Sequence, residues 1–580
     1  MARKLNLQDL RTYPAVTHEG ASAYDYSASH PLIHLTFTMG SALLVDGFYQ
    51  SQQAEVRALA EAVLGAWRAE PRFAWQYGAW MRDPKGGKGN RIQGSLVPAL
   101  LDGLTDSDAH TAEYVEKSLR HRPDDVTAFV QHYRQLGLGS PSAAARVGVA
   151  AALAGFDEYQ LMKYVGRKDD VRLCDVISMV KAELEALGDR GALALAAGRY
   201  LHAPTRKRQE HLEGLPLTAS RRLLFQQDKG YAFDPAFVAH VGEARVTWEQ
   251  VLGHFGTDLE TVPDTVEGAE ARQAAAARNR AVWSAVLAVP GLMPDMALLR
   301  NLRNLSEAGY TTAELIALVQ GRAFKGVWPH QVYAGFKAVP ALEPVFSAIL
   351  AQTAVALLPP GRHLGVADIS GSMCTAVGGV KGSIQAMDVS LCFVGLMSES
   401  SGLGASFDNG IHVAKRDGGE GLLAFTRRRE INQGWGGTQI FGSVMELIAW
   451  LRAHPEVQPP ECLWFFSDMQ FHPASTATLP AAMAAEVKRL GINPAAPPLE
   501  IALNVYRQVL GPVDVVLWNL AAYDPVPVPS SFEGVLLVSG FDANTFRAVQ
   551  AWREGSAGAT AGGGTVEVNQ EVILETVRSY

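Results

Sequence analysis

From about Gln52 to Leu358 apolar residues recur at three- and four-residue spacing, as in AEVRALAEAVLGAW, RIQGSLVPALLDGL and DMALLRNLRNL, which is the period of amphipathic helices. Pro204, the EGLP segment, Pro263, Pro290 and Pro340 interrupt the pattern, so it predicts helices of moderate length joined by short loops. No fixed-period repeat is visible, but stacked helical pairs keep their packing pattern after self-similarity is lost. A helical-pair solenoid is expected over residues 1–358. The pattern changes at LLPPGR, where Pro359 and Pro360 mark a boundary. Beyond it lie short β-prone runs, HLGVADI, LGASFDN, ECLWFFSD, VDVVLWNLA and FEGVLLVSGF, separated by helical stretches such as SIQAMDVSLCFVGLMSES and TQIFGSVMELIAWLRAH. Fully apolar strands alternating with helices predict a mostly parallel, doubly wound α/β sheet over residues 359–553. The segment 554–580 reads as a glycine-rich linker and a tail without a clear pattern.

With 580 residues, 48% hydrophobic and 19% charged, the chain exceeds one ordinary domain and has the composition of a folded protein. The N-terminus MARKLNLQDLRTYP carries no apolar run after its charges, and FSAILAQTAVALLPP is shorter than the roughly 20 residues of a membrane helix. These features lead us to expect a soluble, cytoplasmic protein with no membrane partner. Cys174, Cys374, Cys392 and Cys462 are too scattered for a disulfide framework or a zinc knuckle. Net charge is −8, and it is unevenly spread: residues 1–350 hold 37 Lys and Arg against 38 Asp and Glu, the remainder 14 against 21. A polyanion would therefore meet a local basic patch in the N-terminal part.

Loops at the carboxyl ends of strands form the ligand site of such a sheet. HLGVADISGSM places Asp368, Ser370 and Ser372 in one such loop, LWFFSDMQF places Asp468 in another, and GWGGTQIFGSV places Thr438 at a helix entry. Two carboxylates and three hydroxyls form a hard-oxygen set suited to Mg²⁺, or Mn²⁺, and poorly suited to zinc. Helix capping and Asx-turns explain such residues singly but not as a set. A hydrolase using Asp368 as nucleophile lacks an adjacent acid/base group. The pattern resembles the metal-ion-dependent adhesion site (MIDAS) of von Willebrand factor A domains, matched at all five positions.

Together with the segment MALLRNLRNLSEAGY, the junction PPGRHLGVADISGSM, and the pieces THEGASAYDYSASHPLIHLTFTMG, RVTWEQVL and VLLVSGFDANTFRAV, this order of modules resembles the Ro autoantigen family, of the bacterial Ro-like type. Its helical module is named TROVE, for telomerase, Ro and vault. The resemblance implies an α-helical ring of HEAT-like repeats, monomeric, closed by the von Willebrand A domain. It implies a noncatalytic ribonucleoprotein scaffold that binds small noncoding (Y-type) RNA and single-stranded 3′ ends of structured or misfolded RNA in quality control or processing. Partners implied include an exoribonuclease or another RNA-processing protein.

Read directly, the helix around Leu299 carries Leu298, Leu299, Leu302 and Leu305 on one stripe and Arg300 and Arg303 on the opposite side. Guanidinium groups grip phosphates bidentately. By resemblance YVGRKDDVRLCD corresponds to a basic RNA-facing helix, where Arg167, Lys168 and Arg172 keep the charge while Asp169, Asp170 and Asp175 dilute it. MRDPKGGKGNR offers Arg82, Lys85, Lys88 and Arg91 in a loop whose glycines admit a phosphate, without Walker A spacing. Arg206, Lys207 and Arg208 read as a solvated charge run. The competing reading is a protein-binding module in which a partner's acidic side chain completes the metal shell and RNA contact is incidental.

Overall fold

The computed structural model describes residues 13–16, 22–25, 30–41, 52–85, 90–106, 108–164, 171–258, 268–324, 327–375, 384–433, 436–472, 481–493, 496, 498–520, 527–528, 532–539, 544–556 and 573–580. The chain begins with an antiparallel hairpin of β1 (Tyr13–Val16) and β2 (Ser22–Asp25). Helices follow: α1 (Pro31–Ser41), α2 (Gln52–Ala69), α3 (Pro71–Arg82), α4 (Arg91–Leu104), α5 (Thr111–Leu119), α6 (Pro123–Leu136), α7 (Ala143–Ala154), α8 (Glu158–Lys163), α9 (Leu173–Met179) and α10 (Lys181–Ala186). Then come α11 (Asp189–His202), α12 (Pro216–Leu224), α13 (Phe237–Ala244), α14 (Trp248–Phe255), α15 (Ala269–Ala288), α16 (Asp295–Glu307), α17 (Thr312–Gln320), α18 (Pro329–Ala338) and α19 (Glu343–Leu357). Contacts divide the chain into two compact units, Trp75–Gly326 and a second made of Met1–Ala74 with Val327–Tyr580.

In the first unit the starts of α8, α14 and α17 are set by capping boxes, Asp157 with Gln160, Thr247 with Gln250 and Thr311 with Glu314. α6 ends at Gly137, whose φ of 67° suits the left-handed turn. Helices pack in an alternating pattern, α4 on α6, α5 on α7 and α9 on α11. A Cβ at Gly148 of α7 would lie 2.5 Å from the Ala112 carbonyl oxygen, so the glycine sets how closely α5 and α7 approach.

The second unit is built on a six-stranded sheet of β3 (His363–Asp368), β4 (Leu403–Phe407), β5 (Ile411–Lys415), β6 (Cys462–Ser467), β7 (Asp514–Asn519) and β8 (Val535–Ser539), in the order β5-β4-β3-β6-β7-β8. All neighbours are parallel except the edge pair β4 and β5. β3, β4, β6 and β8 are buried along their whole length, as expected of a sheet covered on both faces. α20 (Ala386–Ser401) crosses β3, α21 (Leu422–Thr426) follows β5, α22 (Ile440–Ala453) precedes β6, and α23 (Ala481–Arg489) and α24 (Pro498–Leu510) precede β7; α25 (Asn544–Ser556) follows β8.

The spatial division does not fall at Pro359–Pro360. α18 and α19 belong with the sheet: Lys337 pairs with Asp388 of α20 at 2.7 Å, and Glu343 and Ser347 accept the Ala424 and Leu423 N–H groups. The stretch Pro340–Leu357 has the length and composition of a membrane span, yet its Val345, Phe346, Ile349, Leu350 and Ala354 are buried in the protein. The two chain ends also meet in this unit. Ser539 Oγ donates to the Thr36 carbonyl at 3.2 Å. Residues 573–578 are helical, Leu574 and Val577 are buried, and Arg578 pairs with Glu70 at 3.0 Å over the Phe73 ring.

Candidate functional site

After β3 the chain proceeds through α20 to β4 on one side, and later returns to place β6 on the other side of β3. The carboxyl ends of β3 and β6 therefore flank the point where strand order reverses, the place where such sheets bind ligands. Asp368 is the last residue of β3 and Asp468 follows β6 directly; they are 0% and 2% exposed. Asp368 Oδ1 accepts the Ser370 N–H at 2.9 Å, and its Oδ2 accepts the Ser467 hydroxyl at 2.5 Å. Ser370 Oγ and Ser372 Oγ lie 3.2 Å apart, both buried. Asp468 Oδ1 accepts the Gln470 N–H at 3.1 Å. Thr438, 2% exposed, precedes α22, and its carbonyl accepts the His472 N–H at 2.9 Å, which ties its loop to the one that carries Asp468.

Several residues outside the predicted set shape this edge. Met469 has φ of 62°, an uncommon conformation for a side chain of its size, and its N–H is held by Ser467 Oγ at 3.0 Å. Gly437 donates to Asn409 Oδ1, and a Cβ there would lie 2.7 Å from the His472 ring. Asp408, just beyond β4, pairs with His412 at 3.0 Å and accepts Gln439 N–H on its carbonyl. The serine of FFSD was the available signal for Ser467; Asp408 and His472 had none, since their loops meet the site only through the fold.

Burial, and after it the neighbouring Asp468 carboxylate, raise the Asp368 pKa well above the ordinary range. No cationic side chain lies within 4 Å of Asp368 among the described residues. A buried carboxylate facing a second one calls for positive charge, so a hard divalent cation suits this set. Among the described residues no cluster of three His, Cys, Asp or Glu side chains exists; here three of the five donors are hydroxyls.

The basic residues are distributed differently. α16 buries Leu298, Leu299, Leu302 and Leu305 and leaves Arg300 and Arg303 exposed. Arg303 pairs with Glu307 at 2.8 Å, whereas Arg300 has no acidic partner among the described residues. Arg172 is held by Asp175 at 2.7 Å. Arg91 is tied to Asp124 and Asp125, and Arg82 is buried against Asp125 at 2.7 Å. Lys85 is exposed, and its own N–H is bonded to Asp83. Arg167, Lys168 and Lys88 lie outside the described residues. The structure thus brings the oxygen donors to one edge of a sheet but does not gather the basic residues into one patch.

No family model and no curated protein matches the chain. Among solved structures it is similar to the crystal structure of the Deinococcus radiodurans Ro (RSR) protein, at 18% identity and a TM-score of 0.47, over 89% of this chain and 100% of that one.

Proposed function

We propose that the chain is a noncatalytic RNA-binding scaffold of the Ro type, acting in the cytoplasm on small noncoding RNA and on single-stranded 3′ ends, with an RNA-processing protein such as an exoribonuclease as partner. The observation that carries this reading is Arg300, exposed and free of any acidic partner among the described residues, on the helix of the Leu-Arg-Asn-Leu segment. Phosphate contact by such side chains makes affinity steeply salt-dependent. Gel shifts with structured, 3′-tailed RNA at low salt test it: Arg300→Glu weakens binding about tenfold or more and flattens the salt dependence, as expected when one phosphate contact is lost. Unchanged binding, or none by the wild type, would end this reading.

Asp368, Ser370, Ser372, Thr438 and Asp468 would hold Mg²⁺, which when bound supplies a coordination position for an oxygen donor. That carboxylate pair favours a second reading, a protein-docking module whose partner offers an acidic side chain. Capture of one protein with Mg²⁺ but not with EDTA, in the absence of RNA, would favour it over the first.

A further inference from the structure

In the unit Trp75–Gly326, a cavity of about 320 Å³ is lined by Tyr200, Arg221, Arg222, Phe225, Gln226 and Gln250 among others, none of them acidic. Arg221 is only 6% exposed. Its Nε donates to the Ala244 carbonyl at 3.1 Å, one terminal NH₂ group donates to the Arg245 carbonyl at 2.7 Å, and its guanidinium stands 5.3 Å from the Tyr159 ring centre. These partners are dipoles and a π face, not a counter-charge, and no carboxylate lies within 4 Å of it among the described residues. Arg222, half-buried beside it, has no ion pair among them either.

Two acids, Glu158 and Asp157, act on Arg221 from beyond 4 Å. Glu158 accepts the Leu217 and Thr218 N–H groups and the Thr218 hydroxyl, at 3.1, 2.6 and 2.7 Å, and so caps α12. Asp157 faces Arg245 at 3.5 Å. Further cations sit on neighbouring rings: Arg245 and Lys163 on Tyr159, at 5.3 and 5.5 Å, and Arg208 on Tyr200 at 5.6 Å. With Arg222, Arg245, Lys163 and Arg208 around Arg221, cations still outnumber carboxylates at the cavity, so it attracts an anion.

Paired guanidinium groups suit a phosphate. The rings of Tyr200 and Phe225, the Gln226 amide and the Nε2 donor of Gln250, whose Oε1 is held by the Thr247 N–H, suit a planar heterocycle with a donor and acceptor edge. The volume is near the lower end, about 300 Å³, of small-ligand pockets, enough for one nucleotide and too little for a duplex. We propose that this cavity binds a single nucleoside monophosphate unit, its phosphate on Arg221 and Arg222, its base against Tyr200 and Phe225 and read by Gln226 and Gln250. That unit comes either from a free mononucleotide or from an unpaired nucleotide of a strand. The proposal stands on the cavity's own chemistry and is independent of Arg300.

Titrating the full chain calorimetrically with nucleoside monophosphates, with inorganic phosphate, and by fluorescence anisotropy with a labelled unpaired oligonucleotide tests it. Saturable binding of a nucleoside monophosphate at one site per chain, about tenfold weaker in Arg222→Gln, is expected, as for loss of one charged hydrogen bond. Arg222 is not a core residue, so an unchanged circular dichroism spectrum checks folding, and Gln226→Leu serves as a second variant that changes preference among bases. Displacement of the oligonucleotide by the mononucleotide assigns the site to a strand; an oligonucleotide that stays bound assigns it to the free nucleotide. Inorganic phosphate binding as tightly as nucleotides, or nucleotide binding insensitive to Arg222→Gln, overturns the proposal. RNA binding that survives Arg222→Gln but falls in Arg300→Glu separates failure here from failure of the RNA reading.

Discussion

His363 shows how a single side chain responds to its hydrogen bonds. It is fully buried at the start of β3; Trp464 Nε1 donates to its Nδ1 at 3.0 Å, so Nε2 carries the proton and donates to the Pro359 carbonyl at 2.8 Å. Burial pushes its pKa down to about 4. Because the unfolded ring titrates near the ordinary 6.5, the unfolded state takes up the proton first, so stability is full above about pH 6.5 and declines as pH falls toward 4. The loss is on the order of 3 kcal/mol, at about 1.4 kcal/mol per unit. In His363→Gln, urea unfolding should show a flatter pH dependence over that window; an unchanged slope would refute the assignment. Asp368 carries the opposite lesson. In EDTA at pH 8, Asp368→Asn should unfold about 1–3 kcal/mol harder than wild type, since a buried like-charge pair is removed. A Mg²⁺-dependent rise in melting temperature is the expected outcome for the wild type, and its loss the expected outcome for the same variant.

At the scale of elements, Gly365 sits where α20 lies against β3. A Cβ there would fall 2.9 Å from Val394 Cα and 3.2 Å from Met397 Cγ. Gly365→Ala should cost about 1–3 kcal/mol in chemical denaturation, the range for overpacking; a cost below about 0.5 kcal/mol would show that the helix simply shifts. The buried strands were legible because runs such as CLWFFS and VLLVS are apolar throughout, and α16 because its leucines keep helical spacing. β5 was not: only Ala414 in IHVAK is buried, and an edge strand paired on one side leaves little apolar pattern to read. The five oxygen donors were legible as a motif. Their neighbours Asp408 and His472 were not, because no local spacing relates loops that meet through strand order. The cation at Arg91 was misleading for the same reason, since its acidic partners lie 33 and 34 positions further along the chain.

For the whole molecule, the boundary read from composition at Pro359 marks a change of secondary structure, whereas compactness follows burial, which assigns α18 and α19 to the sheet. The C-terminal tail carried no readable pattern because six helical residues are too few for periodicity, although two of them are buried. Removing residues 573–580 should lower the stability of that unit by roughly 2–4 kcal/mol, from the loss of Leu574 and Val577 burial. Limited proteolysis would then cut near Glu70 and Phe73, which the tail's Arg578 contacts, faster than in the intact chain.

That one unit joins the first 74 residues to the last 254 also sets an order of events on the ribosome. At about 5–20 residues per second, α1 emerges roughly half a minute to two minutes before β8, on which it packs, exists. Leu32, Ile33 and Leu35, all buried in the finished protein, spend that interval with α2 beside their helix but without the sheet, so nascent chains halted between residues 75 and 326 are natural clients for a chaperone.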